Sequence, residues 1–286
     1  MFGAHLSVAG GLHNALIEAQ RLRMDCVQVF TKNQRQWSAP PLNEGQVEQW
    51  RQHRLKTKIE TVVSHDSYLI NLGGPAGPVR RKSIALFCDE LERCERLDIP
   101  YLVAHPGAHL NGGEAVGLKR IARALDQVHR ALPDLKVLTC LEVTAGQGTN
   151  LGYRFEQLRR ITDMVKDPQR LGVCLDTAHM LVAGYDLTTE SGAESVVQEL
   201  DDVLGLNQVK VVHLNDSKTP LGSRVDRHEH IGQGHVSRAA FRVLVAHPAL
   251  KNVPKILETP KGEAPNGKQW DSVNLAKLRR MAVRRG

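Results

Sequence analysis

Eight short apolar runs rich in β-branched residues recur along the whole chain, and they constrain its fold more than any other feature. They are Phe2–His5, Cys26–Phe30, Thr61–His65, Tyr101–His105, Val137–Glu142, Leu171–Asp176, Val209–Asp216 and Pro254–Thr259. Near-continuous hydrophobicity over so few residues suits parallel strands covered on both faces. Between the runs the period changes to that of a helix. Leu12, Ala15, Leu16 and Ala19 make one apolar stripe, and Ile84, Phe87, Leu91 and Cys94 make another. Leu118, Ile121, Leu125, Val128 and Leu132 follow, then Phe155, Leu158, Ile161 and Val165, each against a charged face. Gln46–Lys56 and Ala193–Leu204 carry weaker stripes. Strand–helix alternation without a linker or charge block predicts an α/β fold, a single (β/α)8 TIM barrel spanning residues 1–286. An open doubly wound sheet is the alternative, but no GxGxxG follows the first strand.

The formal charge is +7, an excess that favours polyanionic partners without singling one out. The five cysteines sit in apolar contexts with no CxxC pair, as reduced core residues of a cytosolic protein would. Met1 leads directly into the first strand without a basic-then-apolar leader. No apolar run approaches the ~20 residues that span a bilayer. The expectation is a protein of the bacterial-type cytosol that makes no use of a membrane.

Metal-type residues gather where these strands end. His65 closes the third run, His105 the fourth, Glu142 the fifth, Asp176 the sixth, His213 and Asp216 the seventh, and Glu258 lies at the end of the eighth. Barrel enzymes build their sites on this face, where the strands' carboxyl ends converge. His179 follows Asp176 by three residues, and Asp226 and His228 lie in the loop after the seventh strand. A lone histidine at a strand end is more often a hydrogen-bonded neighbour of a site than a ligand. Five histidines and four carboxylates on one face reverse that balance. Mixed His and carboxylate donors without cysteine suit catalytic zinc or manganese better than a structural zinc. His13, His53, His129 and His247 read as surface residues. His5, His109, His230 and His235 are placed to line the mouth, with no metal assigned to them.

Several stretches, taken in order, resemble the endonuclease IV family of abasic-site endonucleases. They are Phe30–Trp37, His65–Gly73, His105–Gly107, Thr144–Gly148, Gly172–His179, His213–Lys218, Gly222–Glu229 and Leu257–Thr259. The resemblance implies three Zn²⁺ per chain, with Mn²⁺ as the alternative at one or more positions. One ion would take His65, His105 and a bridging Glu142. The second would share Glu142 and add Asp176, His213 and Glu258; the third would take His179, Asp226 and His228. Ala178 stands where the family commonly has Cys and Val143 where Asn is frequent, and neither is a ligand. The basic C-terminal helix around Lys277–Arg285 lies outside the matched stretches and reads as a solvated face, with a DNA contact as the alternative.

Three divalent ions against four carboxylates leave a net positive site, suited to a phosphodiester gaining charge in its transition state. Glu142 and Glu258 are the expected catalytic carboxylates. The activity implied is hydrolysis 5′ to an abasic site in duplex DNA, leaving a 3′-hydroxyl and a 5′-deoxyribose phosphate, with trimming of blocked 3′ ends beside it. Such an enzyme would act as a monomer, at the nucleoid. The resemblance also implies that Arg35, Tyr68 and Leu69 enter the duplex, while Lys32, Asn33 and Gln34 contact phosphates. Without it, Tyr68 and Leu69 would read as packing residues of a strand–helix loop. Two rivals are a two-metal sugar isomerase or epimerase on the same barrel and a catalytically inactive nucleic-acid-binding barrel. The first has no need of His179, Asp226 and His228 as a further group; the second would be expected to have lost a ligand.

Overall fold

In the computed structural model, which describes residues 1–283, eight parallel strands close into a barrel. The elements run β1 (Phe2–His5), α1 (His13–Arg21), β2 (Cys26–Val29), α2 (Glu44–Thr57), β3 (Thr61–His65), α3 (Pro78–Arg96), β4 (Tyr101–Ala104), α4 (Glu114–Ala131) and β5 (Leu138–Glu142). They continue through α5 (Phe155–Met164), β6 (Leu171–Asp176), α6 (Thr177–Ala183), α7 (Glu190–Val203), β7 (Val209–His213), β8 (Asp216–Ser217), β9 (His228–Glu229), α8 (Arg238–Ala246), β10 (Lys255–Leu257) and α9 (Trp270–Ala282). Around the barrel the strands follow the order β1-β10-β7-β6-β5-β4-β3-β2, the last closing on β1. The fold expected from the alternation is the fold observed. Arg284 and Arg285, part of the basic C-terminal stretch, lie outside the described residues. Among those described, no helix is long and apolar enough to cross a membrane.

Local chemistry explains the elements that hydrophobic period marked weakly. Helix α2 buries little beyond Val47 and Trp50, yet Asn43 and Gln46 form a reciprocal capping box at its start. Trp50 Nε1 donates to the Leu97 carbonyl at 2.8 Å, anchoring α2 on the end of α3. Thr189 and Ser237 cap α7 and α8 through their hydroxyls alone, each satisfying a backbone N–H that the first helical turn leaves open.

Two expectations need correction. The seventh strand ends at His213, and Asp216 instead opens a two-stranded antiparallel ribbon, β8–β9. The cause is the buried Asp216 carboxylate, which accepts backbone N–H groups from Ser217, Gly232, Gln233, Gly234 and Val236 at 2.8–3.2 Å. That nest draws the chain off the barrel. His129 is not a surface residue: it is buried on α4, where burial and then Arg170 lower it to about 4.

Inside the barrel a cluster of buried side chains lies below the mouth. Cys26, Val63, Val103, Cys140, Cys174, Val211 and Ile256 supply one residue each from seven strands. On β1 the residue in register with Cys26 and Ile256 is Gly3. A Cβ there would stand 1.9 Å from the Cys26 carbonyl oxygen, so the backbones approach too closely for any side chain. Gly3→Ala is expected to cost about 3 kcal/mol through overpacking. Urea denaturation would read this as a lowered midpoint, and an unchanged midpoint would contradict the close approach.

Candidate metal centre

The nine expected ligands converge at the mouth, seven of them brought there by the end of a strand or by the first residues beyond it. His65, Glu142, Asp176 and His213 are the last residues of β3, β5, β6 and β7, while His105 and Glu258 each sit one residue past β4 and β10. Asp176 also caps α6, accepting the His179 N–H at 2.8 Å, which fixes His179 one turn above it. Asp226 and His228 arrive on the excursion that contains β8 and β9.

Their donor atoms form three groups. His65, His105 and Glu142 make the first, with Nε2 of each imidazole 3.1–3.2 Å from Glu142 Oε2. Glu142, Asp176, His213 and Glu258 make the second; His213 Nδ1 lies 3.1 Å from Glu142 Oε1 and 3.2 Å from Glu258 Oε2. In the third, His179 and His228 face Asp226 at 3.1 and 3.3 Å, with Asp176 Oδ2 3.6 Å from His228. Glu142 therefore spans the first two groups through its separate oxygens, and Asp176 connects the second with the third.

The imidazoles are held from behind. His65 Nδ1 faces the Asp66 carbonyl at 3.0 Å and His179 Nδ1 the Val143 carbonyl at 3.0 Å, leaving Nε2 of each aimed inward. Val143 contributes through its backbone, so the missing Asn side chain alters nothing at this contact. His228 Nδ1 faces the Glu258 carbonyl at 3.3 Å, and its Nε2 is buried without a hydrogen-bond partner, pointed between Asp176 and Asp226. One ring nitrogen tied to an outer acceptor, the other free and inward, is how metal-binding histidines are oriented. An orphaned inward nitrogen among carboxylates fits a divalent cation, and nitrogen and oxygen donors suit zinc or manganese.

The electrostatics agree. Burial alone would push the Glu142 carboxyl up, but His213, His105 and His179 outweigh it and hold it well below the ordinary carboxylate range. Burial would lower His65, yet its hydrogen bond to Glu142, with the Glu142, Asp66 and Glu258 charges, raises it to about 10. Asp226 resists the upward push of burial and stays at about 2 because His179 and His228 face it. The cluster binds protons where it would bind metal.

Gln28, which the strand pattern did not single out as a functional residue, ties this centre together. It is fully buried on β2, its Oε1 2.8 Å from His213 Nε2 and its Nε2 2.6 Å from Glu258 Oε1. The same amide nitrogen reaches His5 Nδ1 at 2.9 Å, so His5 lines the mouth as a neighbour of the centre. A glutamine amid Cys26, Val27 and Val29 was the available signal. Asn215 is similar: its amide donates to Asp176 at 2.7 Å and its oxygen accepts the Glu258 N–H at 2.7 Å.

The residues expected at DNA divide. Arg35 and Asn33 are exposed on the loop after β2, and Tyr68 is 68% exposed on the loop after β3, its ring 5.7 Å from Phe30. Leu69 is half-buried against the core, and the Gln34 carbonyl accepts the Ser67 hydroxyl at 2.7 Å, joining the two loops. Lys32 does not face a phosphate. Its ammonium is buried between Asp89 and Glu90 of α3, where two carboxylates neutralise it and brace the loop from beneath.

A buried ring of histidines and carboxylates at the mouth of a parallel barrel defines a metal-dependent barrel enzyme. Residues 16–279 match the family model described as a xylose isomerase-like TIM barrel. The chain is 49% identical over 278 residues to the probable endonuclease 4 of Chloroflexus aurantiacus, covering 97% of this chain and 96% of the relative. It is 45% identical to that of Geobacter sulfurreducens, covering 99% and 95%. The crystal structure of endonuclease IV from Thermus thermophilus superposes with a TM-score of 0.85 at 37% identity, over 98% of each chain. A D-tagatose 3-epimerase-like protein, 20% identical with a TM-score of 0.72, shares the fold alone. The chain belongs to the endonuclease IV family of metal-dependent DNA-repair nucleases.

Two outcomes follow from the geometry. Gln28→Leu leaves His213 Nε2 without its acceptor, and metal affinity is expected to fall about 10–100-fold. Competition with a chromophoric chelator measures this, and unchanged affinity would remove Gln28 from the site. Without metal, an imidazole raised to about 10 keeps its proton at neutral pH, and an incoming cation must displace it. Affinity should therefore weaken as pH drops from about 8 to about 6, with proton release visible by calorimetry in buffers of different ionisation enthalpy. For the metal-free fold the sign is opposite: His65 stabilises it below its ordinary 6.5, an effect lost as pH climbs through about 10.

Proposed function

We propose that this chain hydrolyses the phosphodiester 5′ to an abasic site in duplex DNA, using three zinc ions held by the three donor groups. The observation that carries the reading is the third group, His179, Asp226 and His228, joined to the first two through Asp176 and Glu142. Manganese is the alternative occupant at one or more positions. Bound there, divalent cations supply hydroxide at neutral pH and offset charge on the phosphoryl group and on the departing oxygen.

The chain's own residues do the placing. Glu142 is wholly buried and serves both neighbouring groups, so its work is to fix their spacing. Glu258 differs: its side chain is 18% exposed, and Gln28 holds Oε1 while Oε2 turns inward. It is the carboxylate of its group that an incoming water meets, placed to orient that water and take its proton. Water adds to phosphorus, the bond to the 3′ oxygen breaks, and that oxygen leaves with a proton. The products are a 3′-hydroxyl and a 5′-deoxyribose phosphate, and the same chemistry would trim blocked 3′ ends.

Damage selection rests on the two loops. A nucleotide without a base has lost its stacking, so rotating it out costs less than flipping an intact one. Arg35, Tyr68 and Leu69 would fill the opened step as wedges, and Asn33 and Gln34 would position the backbone. A pocket of about 250 Å³ beside Tyr68 and His105, with Asp66, Asn71, Thr144 and Asn150 in its wall, offers polar room for an unstacked sugar phosphate. The protein would act as a monomer.

An end-labelled duplex with one tetrahydrofuran analogue tests the reading, because that sugar has no aldehyde and only hydrolysis can cut it. Scission immediately 5′ to the analogue is expected, absent on intact DNA and reduced on the order of a thousandfold in Glu258→Gln. No cutting by fully metallated protein would refute the nuclease.

A further inference from the structure

We propose that the duplex on either side of the lesion is held by two cationic grooves on opposite walls of the barrel, one between α3 and α4 and one between α8 and α9. The inference rests on the reading of the site as a duplex-DNA nuclease.

Arg80 on α3 and Arg120, Arg123 and Arg130 on α4 line the first groove, of about 380 Å³. Its one carboxylate, Asp126, accepts the Lys166 N–H at 2.9 Å through Oδ1. Arg238 and Arg242 on α8, with Lys277 and Arg280 on α9, line the second, of about 650 Å³, and no carboxylate joins them there among the described residues. None of these eight cations forms an ion pair among the described residues, whereas Arg51, Arg159 and Arg160 on other parts of the wall do. Arg80 and Lys277 donate to main-chain carbonyls, which satisfies their N–H groups without cancelling their charge. Arg120 Nη1 is buried with no hydrogen-bond partner. Burial and then Arg120 and Arg123 lower Arg80; burial and then Arg238 lower Lys277. Crowded like charges of this kind are unfavourable in the free protein, and a line of phosphates would relieve them.

Their placement points to a duplex. Helices α3 and α4 flank β4 in the chain, and α8 and α9 flank β10. In the closed ring β4 and β10 stand four strands apart in either direction, so the grooves face opposite ways across the mouth. Strand β2, whose loop carries Arg35, is two strands from each. A duplex laid along the β4–β10 diameter would therefore present its flank, at its midpoint, to the wedge loop. Arg80 and Arg238 lie in the first turns of their helices, at the rim, with the other cations further down. A step opened by a wedge kinks the duplex by about 20–90°, which lets its arms bend over the rim towards those cations.

The test is the salt dependence of binding by the metallated protein. The ligands are abasic-analogue duplexes of about 12 and about 30 base pairs, one helical turn and nearly three. In both, a methylene replaces the leaving 3′ oxygen, so they bind without being cut. The longer duplex is expected to bind more tightly and with the steeper dependence on log salt. Arg123→Gln with Arg130→Gln, or Arg242→Gln with Arg280→Gln, should flatten the long-duplex slope by about 1–2, near 0.9 for each phosphate no longer neutralised. Arg51→Gln with Arg159→Gln removes the same charge from paired positions and should leave the slope unchanged. Equal slopes for the two lengths, or a control pair that flattens the slope as much, would overturn the grooves. If the wild type still cuts an ordinary short abasic duplex, only the grooves fall; if it does not, the nuclease reading falls and takes them with it.

Discussion

Glu142 has no exposed surface, and a carboxylate so placed costs several kcal/mol unless it is paired and hydrogen-bonded. Four imidazole nitrogens, from His65, His105, His179 and His213, stand within 3.2 Å of its two oxygens. Each histidine must in turn be oriented, and that requirement reaches outward to the Asp66 and Val143 carbonyls and to Gln28. Gln28 then fixes Glu258, while Asn215 fixes both Asp176 and the backbone of Glu258. The mouth is thus a polar network resting on the buried cluster of Cys26, Cys140, Cys174 and their apolar neighbours, with the Cys174 thiol within 4.8 Å of donor atoms of Glu142 and His213. Low dielectric makes such a network stringent: complete, it fixes one arrangement, and incomplete, it leaves buried groups unpaired.

Much of this was legible because the relevant signals are local. A run of Val and Leu ending in His, Glu or Asp announces both a buried strand and a polar residue at its carboxyl end, so the ligands on β3, β5, β6 and β7 could be placed from neighbours alone. Asp176 and His179 share a helical turn, a spacing that needs no tertiary knowledge. What escaped was set by distant partners. Gln28 makes its contacts 185 and 230 residues away. Lys32 looked like a phosphate contact because its loop is exposed, yet Asp89 and Glu90 on α3 turn it inward. Asp216 looked like the end of a strand until the N–H groups of a loop some 16–20 residues on made it a nest. His129 read as surface because nothing adjacent showed that Arg170 and the barrel wall would cover it.

Lys32 and Ser67 show how the loops after β2 and β3 can be exposed and still held. The loop carrying Arg35 is pinned below by the Lys32 pairs to α3 and across by the Ser67 hydroxyl on the Gln34 carbonyl. Arg93, also on α3, donates to the Pro40 carbonyl at 2.6 Å at the far end of the same loop. Helix α3 begins after the loop bearing Tyr68, so both loops are referred to one rigid element. Preorganisation of this kind lowers the ordering cost of binding, because little of the loop need be fixed when DNA arrives.

The barrel itself is common to proteins of other chemistry, as the superposition on an epimerase-like protein at 20% identity shows. Distinction must then lie in what is grafted onto its mouth. Here the graft is the excursion between β7 and α8. It brings Asp226 and His228 to face His179, and it is shaped by one buried carboxylate. Asp216 can accept five backbone N–H groups only if the chain from Gly232 to Val236 wraps closely around it. Gly234 allows that wrap, since a Cβ there would stand 2.2 Å from the Ser217 carbonyl oxygen. The ribbon of β8 and β9 closes on the same turn, carrying His228 to a position 3.6 Å from Asp176. A residue outside the three donor groups thus shapes the segment that supplies two donors of the third.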